Sequence, residues 1–105
     1  MRTLAAKDLK AIRRHSGEAA AMLRMLAHEA RLGVLCDLIG RERTAGELVE
    51  ASGLAQSALS QHLAKLRQEG LVATRREGQT ILYRIADLRA ARLVNVLYDI
   101  YCKGN

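Results

Sequence analysis

Two thiols and three imidazoles are the side chains in this 105-residue chain best suited to redox or metal chemistry. Cys36 lies in "GVLCDLIG" and Cys102 in "LYDIYCKGN", 66 positions further on. Zinc takes three or four nitrogen and sulfur ligands held together, yet His15, His28 and His62 fall in three separate segments with no ligand spacing. A site joining both cysteines to His15 or His28 is geometrically conceivable, but nothing in the pattern supports it. A thiol enzyme needs a C-x-x-C pair, or a cysteine with an activating histidine and an orienting carboxylate. The cysteines are not adjacent and there is no glycine-rich phosphate loop, so catalysis is not expected and no cofactor is implied. Free cysteine often serves as a small buried filler. Cys36, between Leu35 and Asp37, suits that role; Cys102, three residues from the end, has little core to fill.

A chain of this length makes one domain with one modest core, expected over residues 1–105. It has no Phe, Trp or Pro, and Leu, Ala and Arg favour helix. Net charge is +6, with 17 basic against 11 acidic residues, which points to a polyanion, most often nucleic acid. The apolar runs are far shorter than the ~20 residues of a membrane span. "MRTLAAKDLK" has no long apolar core after its arginine, unlike a secretory signal. A cytoplasmic protein with no membrane contact is expected, in a compartment where thiols stay reduced.

The elements that must position these residues are mostly helical. Leu9, Ile12, Ala19, Ala20, Leu23 and Leu26 form a stripe predicting a first helix over about 8–26, weakest at Ser16-Gly17. A second, over about 28–39, places Ala30, Val34, Leu35 and Leu38 inward and stops at Gly40. Thr44 and Glu47 predict a capping box opening a helix over about 44–52. Gly53 turns the chain into another over about 56–69, and this pair reads as a helix-turn-helix. The alternation of Val72, Thr74, Ile81, Tyr83 and Ile85 predicts a hairpin over about 71–85 with Glu77-Gly78 as its turn. A last helix over about 87–102 is apolar nearly all round, more than its own core can cover, and so predicts a partner chain. The fold class is mainly α with a β-hairpin: a winged helix-turn-helix, expected as a homodimer.

On the helix over 56–69, Leu59, Leu63 and Leu66 point inward. Ser57, Ala58, Gln61 and Lys65 share the outer side, with Gln56 and Ser60 at its margins. Glutamine pairs with adenine, serine is permissive, and alanine meets a thymine methyl, so this surface suits the edges of bases. Lys65 and Arg67 are placed for phosphates, and Arg75, Arg76 and Gln79 at the hairpin tip for phosphate or the minor groove. Each has a plainer use: Ser57 as a helix cap, Gln61 as a solvated amide, and the arginines as protection for an exposed strand edge. His62, beside Leu63, is expected to pack within the helix-turn-helix rather than read a base.

The stretch "LAHEARLGVLCDL…TAGELVEASGLAQSALSQHLAKLRQEGLVATRREGQTILYRI" resembles the ArsR/SmtB family of winged-helix repressors over residues 18–102, most specifically from Ser57 to Val72. The resemblance implies a homodimer joined by its first and last helices, bound to a palindromic operator of double-stranded DNA and released by an inducer. It also implies base or phosphate contacts at Gln56, Ser57, Ser60 and Gln61. Ala55 departs from the family, where a capping serine or threonine is common. Metal-sensing members carry a Cys-x-Cys pair before the recognition helix, or Asp and His ligands along the last helix. Here "GELVEAS" has neither thiol nor imidazole, and the last helix has no histidine, so a metal- or haem-responsive repressor is the alternative reading. "VLCDL" and "IYC" are instead similar to the sulfide- and persulfide-responsive branch, the BigR/SqrR, YgaV and HlyU group. That similarity implies that Cys36 and Cys102 are the sensor pair, linked through a disulfide or polysulfide by reactive sulfur or oxidants.

Overall fold

The apolar stripe that predicts one helix over 8–26 folds as two, α1 (Ala6–Arg14) and α2 (Ser16–Leu26), in the computed structural model, which describes residues 2–103. Met1, Gly104 and Asn105, at the ends of the expected domain, lie outside the described residues. The chain leaves the helix at His15 (φ −105°, ψ 4°), and the Ser16 hydroxyl donates to the Arg13 carbonyl at 2.9 Å. No residue of α1 is buried. Without packing to hold the segments in line, the weak point beside Gly17 becomes a break, as is general for helices whose stability comes from an amphipathic face.

α3 (Glu29–Asp37) is capped by the His28 ring, whose Nδ1 accepts the Ala30 N–H at 3.2 Å. α4 (Ala45–Ser52) opens with the capping box: Thr44 Oγ1 accepts the Glu47 N–H at 3.1 Å, and Glu47 accepts the Thr44 N–H at 2.9 Å. Gly53 then takes a left-handed conformation (φ 70°), the turn into α5 (Gln56–Gln68). Ala55 occupies the α5 cap position and gives no side-chain hydrogen bond.

The hairpin pairs β2 (Val72–Glu77) with β3 (Thr80–Ile85), and a short strand β1 (Arg43–Thr44) adds to the other edge of β3. Glu77 pairs with Thr80, so the two turn residues are Gly78 and Gln79, one position later than the Glu77-Gly78 expected from sequence. Glycine alone in this turn has positive φ (63°), and it stands first. A two-residue hairpin turn with glycine leading is the type II′ pattern, whose twist suits the strands.

α6 (Leu88–Tyr101) is capped by Asp87, which accepts the Arg89 N–H at 3.0 Å. The core joins Val34 and Leu35 of α3 and its cap Leu38 to Leu48, Leu59, Leu63, Leu66, Leu71 and Val72, with Ala90 and Val94 from α6. α3 therefore sits at the centre, against α4, α5 and α6. α5 and the C-terminal helix α6 share this one support.

Candidate nucleic-acid interface and thiol pair

Leu59, Leu63 and Leu66 bury one side of α5, which fixes what its other side shows. Gln56, Ser57, Ser60, Gln61 and Lys65 are all exposed, and among the described residues their side chains make no intramolecular hydrogen bond. Ser57 thus does not cap the helix. Ala58 is only half exposed. With Ala55 offering no acceptor, the first N–H groups of α5 face outward at the positive end of the helix dipole, an environment that favours phosphate.

His62 turns inward from this surface. Its ring meets that of His28 edge to face, with centroids 4.6 Å apart. Burial holds its pKa below the ordinary imidazole value, helped by His28 and Arg31. The Arg31 guanidinium is itself fixed to the carbonyls of Met25 (2.9 Å) and Arg24 (3.3 Å).

At the wing, consecutive residues face opposite ways. Arg76 lies opposite Ile81, on the face that carries Thr74 and Tyr83. Tyr83 lines a groove with Ser60, Leu63 and Arg67, so this face looks toward α5. Arg75 is on the other face and is already engaged. It donates Nε and Nη2 to the two oxygens of Glu42 (2.7 and 2.8 Å) and Nη1 to Glu77 (2.8 Å). Arg76 and Gln79 are exposed and have no such partner among the described residues. Sequence reading did not single out Glu42, which lies 33 positions from Arg75 and carries no local signal.

Cys36 is the penultimate residue of α3, and Cys102 is the cap of α6, its N–H donating to the Tyr98 carbonyl at 2.8 Å. Both are free and exposed. The buried-filler role that suits Cys36 by sequence is therefore not what it has: the α3 positions that fill the core are Val34 and Leu35, and Cys36 falls on the other side of the helix. The Cys36 pKa is pushed up, first by partial desolvation of the sulfur, then by the Asp37 carboxylate and by Cys102. Cys36 lies on α3 and Cys102 caps α6, and these two helices pack against each other.

An open groove of about 530 Å³ runs between α2 and α6, with Ala19, Met22, Leu23, Leu93 and Val96 on its walls. At its rim Arg89 bridges to Glu18 (3.2 Å) and Asp87 (2.8 Å). Leu9, Ile12, Leu23, Val96, Tyr98 and Tyr101 leave a broad apolar surface uncovered on α1, α2 and α6. Among the described residues no three His, Cys, Asp or Glu side chains gather to hold a metal ion, and no helix is long and apolar enough to cross a membrane.

A sequence profile described as bacterial regulatory protein, arsR family, matches residues 28–74, which span α3, the helix-turn-helix and the start of the wing. The transcriptional activator HlyU of Vibrio cholerae is 41% identical over 98 residues, covering 93% of this chain and 91% of that protein. The biofilm growth-associated repressor of Xylella fastidiosa is 43% identical over 89 residues, covering 85% and 78%. The crystal structure of the transcriptional repressor BigR from X. fastidiosa superposes with a TM-score of 0.84 at 39% identity, covering 96% of this chain and 100% of that one.

Proposed function

The chain belongs to the arsR family of bacterial regulatory proteins, and on that premise we propose that it is a dimeric, thiol-controlled repressor. It is a DNA-binding transcriptional regulator with a winged-helix fold, not an enzyme. One relative is named an activator and another a repressor; repression is the sign we assign here. In this reading it acts in the cytoplasm on a palindromic operator. Gln56, Ser57, Ser60, Gln61 and Lys65 face the major groove and Arg76 and Gln79 flank it. Two copies joined through α1, α2 and α6 would present paired recognition helices to half-sites about 10 base pairs apart, or a multiple. The apolar surface left bare on these helices supports that pairing.

The observation that carries the regulatory half is the placement of Cys36 and Cys102, two exposed thiols on helices that touch. Linking them removes two electrons and two protons, taken up by an oxidant such as a peroxide or a polysulfide; a polysulfide bridge also incorporates sulfane sulfur. A direct disulfide needs Cα atoms about 4.4–6.8 Å apart. If the reduced thiols stand further apart than that, closing it pulls the end of α6 toward α3, whereas a longer polysulfide bridge demands less movement. Because α3 also supports α5, either link shifts the DNA-reading surface relative to the helix that joins the protomers. Only one of the two states then fits the operator.

The test is DNA affinity with and without persulfide for wild type, Cys36→Ser and Cys102→Ser, with mass spectrometry of the treated protein. Wild type should lose affinity and show a Cys36–Cys102 crosslink, and both variants should keep binding under persulfide. A full response from either single variant would exclude the paired-thiol mechanism.

A further inference from the structure

Arg75 and Arg76 stand side by side in the sequence and look equivalent as wing cations, but their surroundings differ. Three of the five N–H donors of Arg75 are committed, two of them in a bidentate pair with Glu42, the geometry that makes arginine–carboxylate contacts strongest. Glu42 is well placed to hold it. It directly precedes β1, whose pairing with β3 at Arg43–Tyr83 and Thr44–Leu82 fixes the backbone on the sheet. Arg75 itself pairs with Leu82 from the other side of β3. The carboxylate and the guanidinium thus meet across a three-stranded sheet whose register is set independently of them.

An exposed ion pair is by itself worth little, so strength alone would not keep a phosphate out. Charge count decides the matter. Arg75 stands between two anions, Glu42 and Glu77, and even with Arg84, which lies on the same face and helps lower the Glu42 pKa, the charges on this face sum to zero rather than to a free cation. A phosphate approaching Arg75 meets both carboxylates within the same few ångströms. Arg76 lies on the opposite face, beside the groove that separates the wing from α5, with no carboxylate partner among the described residues.

We infer that Glu42 and Glu77 withhold Arg75 from DNA, so that Arg76 supplies the wing's phosphate contact. The inference rests on the DNA-binding reading and adds to it the residues that set the wing's charge. Arg75 then serves to brace the hairpin against the segment that follows α3, and Glu42 becomes a tuning residue for affinity.

Counterion release makes this measurable without knowledge of the operator, because each neutralised phosphate steepens the dependence of log K on log salt by about 0.9 for duplex DNA, whatever its sequence. Binding to a random-sequence duplex is followed against salt for the reduced wild type, Glu42→Gln, Glu42→Gln/Glu77→Gln and Arg76→Ala. Arg76→Ala should flatten the slope by about 0.9. The double glutamine variant should steepen it by about the same amount and bind more tightly, with Glu42→Gln between it and wild type. Adding Arg75→Ala to the double variant should return the slope to the wild-type value. An unchanged slope in the double variant, or in Arg76→Ala, overturns the inference. Wild type that binds no duplex even at low salt overturns the DNA reading itself, a result that cannot be confused with either.

Discussion

The imidazole of His28 meets that of His62 edge to face, ring centroids 4.6 Å apart, and so ties the start of α3 to the middle of the recognition helix. His28 also uses Nδ1 as the acceptor that caps α3. His62 is held neutral by burial, with His28 and Arg31 adding repulsion to any positive charge.

Stability should therefore fall in mild acid. His62 has a folded pKa below the ordinary imidazole value of about 6.5, so above that value neither state is protonated and the shift has no effect. As pH drops through it the unfolded chain takes up the proton first, and stability declines until the lower folded pKa is passed. The carboxylates held low by their partners, Glu18 first by His15 and then Arg89, Glu42 by Arg75, Glu47 by the Thr44 backbone and Asp87 by Arg89, lose their contribution only in stronger acid, around and below their ordinary range near 4. The two windows are thus separable. Denaturation midpoints between about pH 8 and about pH 5 should slope downward for wild type and lie nearly flat for His62→Gln. An equal slope in both would mean that His62 is not the titrating element.

How far the sequence foretells such contacts depends on their range. The capping box of Thr44 and Glu47, the turn at Gly53 and the inward row Leu59, Leu63 and Leu66 are all legible because each is decided within one or two helical turns. The break at His15 is less so, since the apolar stripe continues across it and only the absence of anything to pack against separates α1 from α2. The wing turn slips by one residue because glycine must stand first, which strand alternation does not encode. Glu42 with Arg75 and His28 with His62 join positions more than thirty residues apart, and no local pattern marks them. The outward polar residues of α5 were readable, whereas the difference between Arg75 and Arg76 emerges only once strand register assigns them to opposite faces.

The second prediction concerns the groove between α2 and α6. Leu23 (55% exposed) and Val96 (50%) line it, and Ile12 (49%) is exposed on an α1 that has no buried residue. An apolar surface of this breadth is covered in a stable regulator, and a second copy of the chain is the cover we propose. Val96→Asp places a charge in that contact while leaving the buried core, Ala90 and Val94 on the same helix, untouched. Sedimentation should show wild type at twice the 11.6 kDa chain mass and Val96→Asp at one chain mass, with operator affinity falling alongside. If Val96→Asp sediments as the wild type does, the groove is not the interface.

The last prediction returns to Ala55. Its backbone (φ −63°, ψ 146°) already has the extended conformation of a helix cap, but its methyl group cannot accept a hydrogen bond from the first turn of α5. Ala55→Ser supplies that acceptor without moving the chain, and a capping hydroxyl contributes about 1 kcal/mol. For a domain of this size that should raise the melting temperature by roughly 4–8 °C. DNA affinity need not follow stability. The same N–H groups are the ones we place nearest a phosphate, and a serine hydroxyl bonded to one of them competes with that contact. Ala55→Ser should therefore be more stable than wild type yet bind duplex DNA no tighter, read by thermal melts and salt-matched affinity on the same preparation. A variant that melts higher and also binds distinctly tighter would show that these N–H groups do not hold phosphate, and that the cap acts on DNA binding only by ordering the helix.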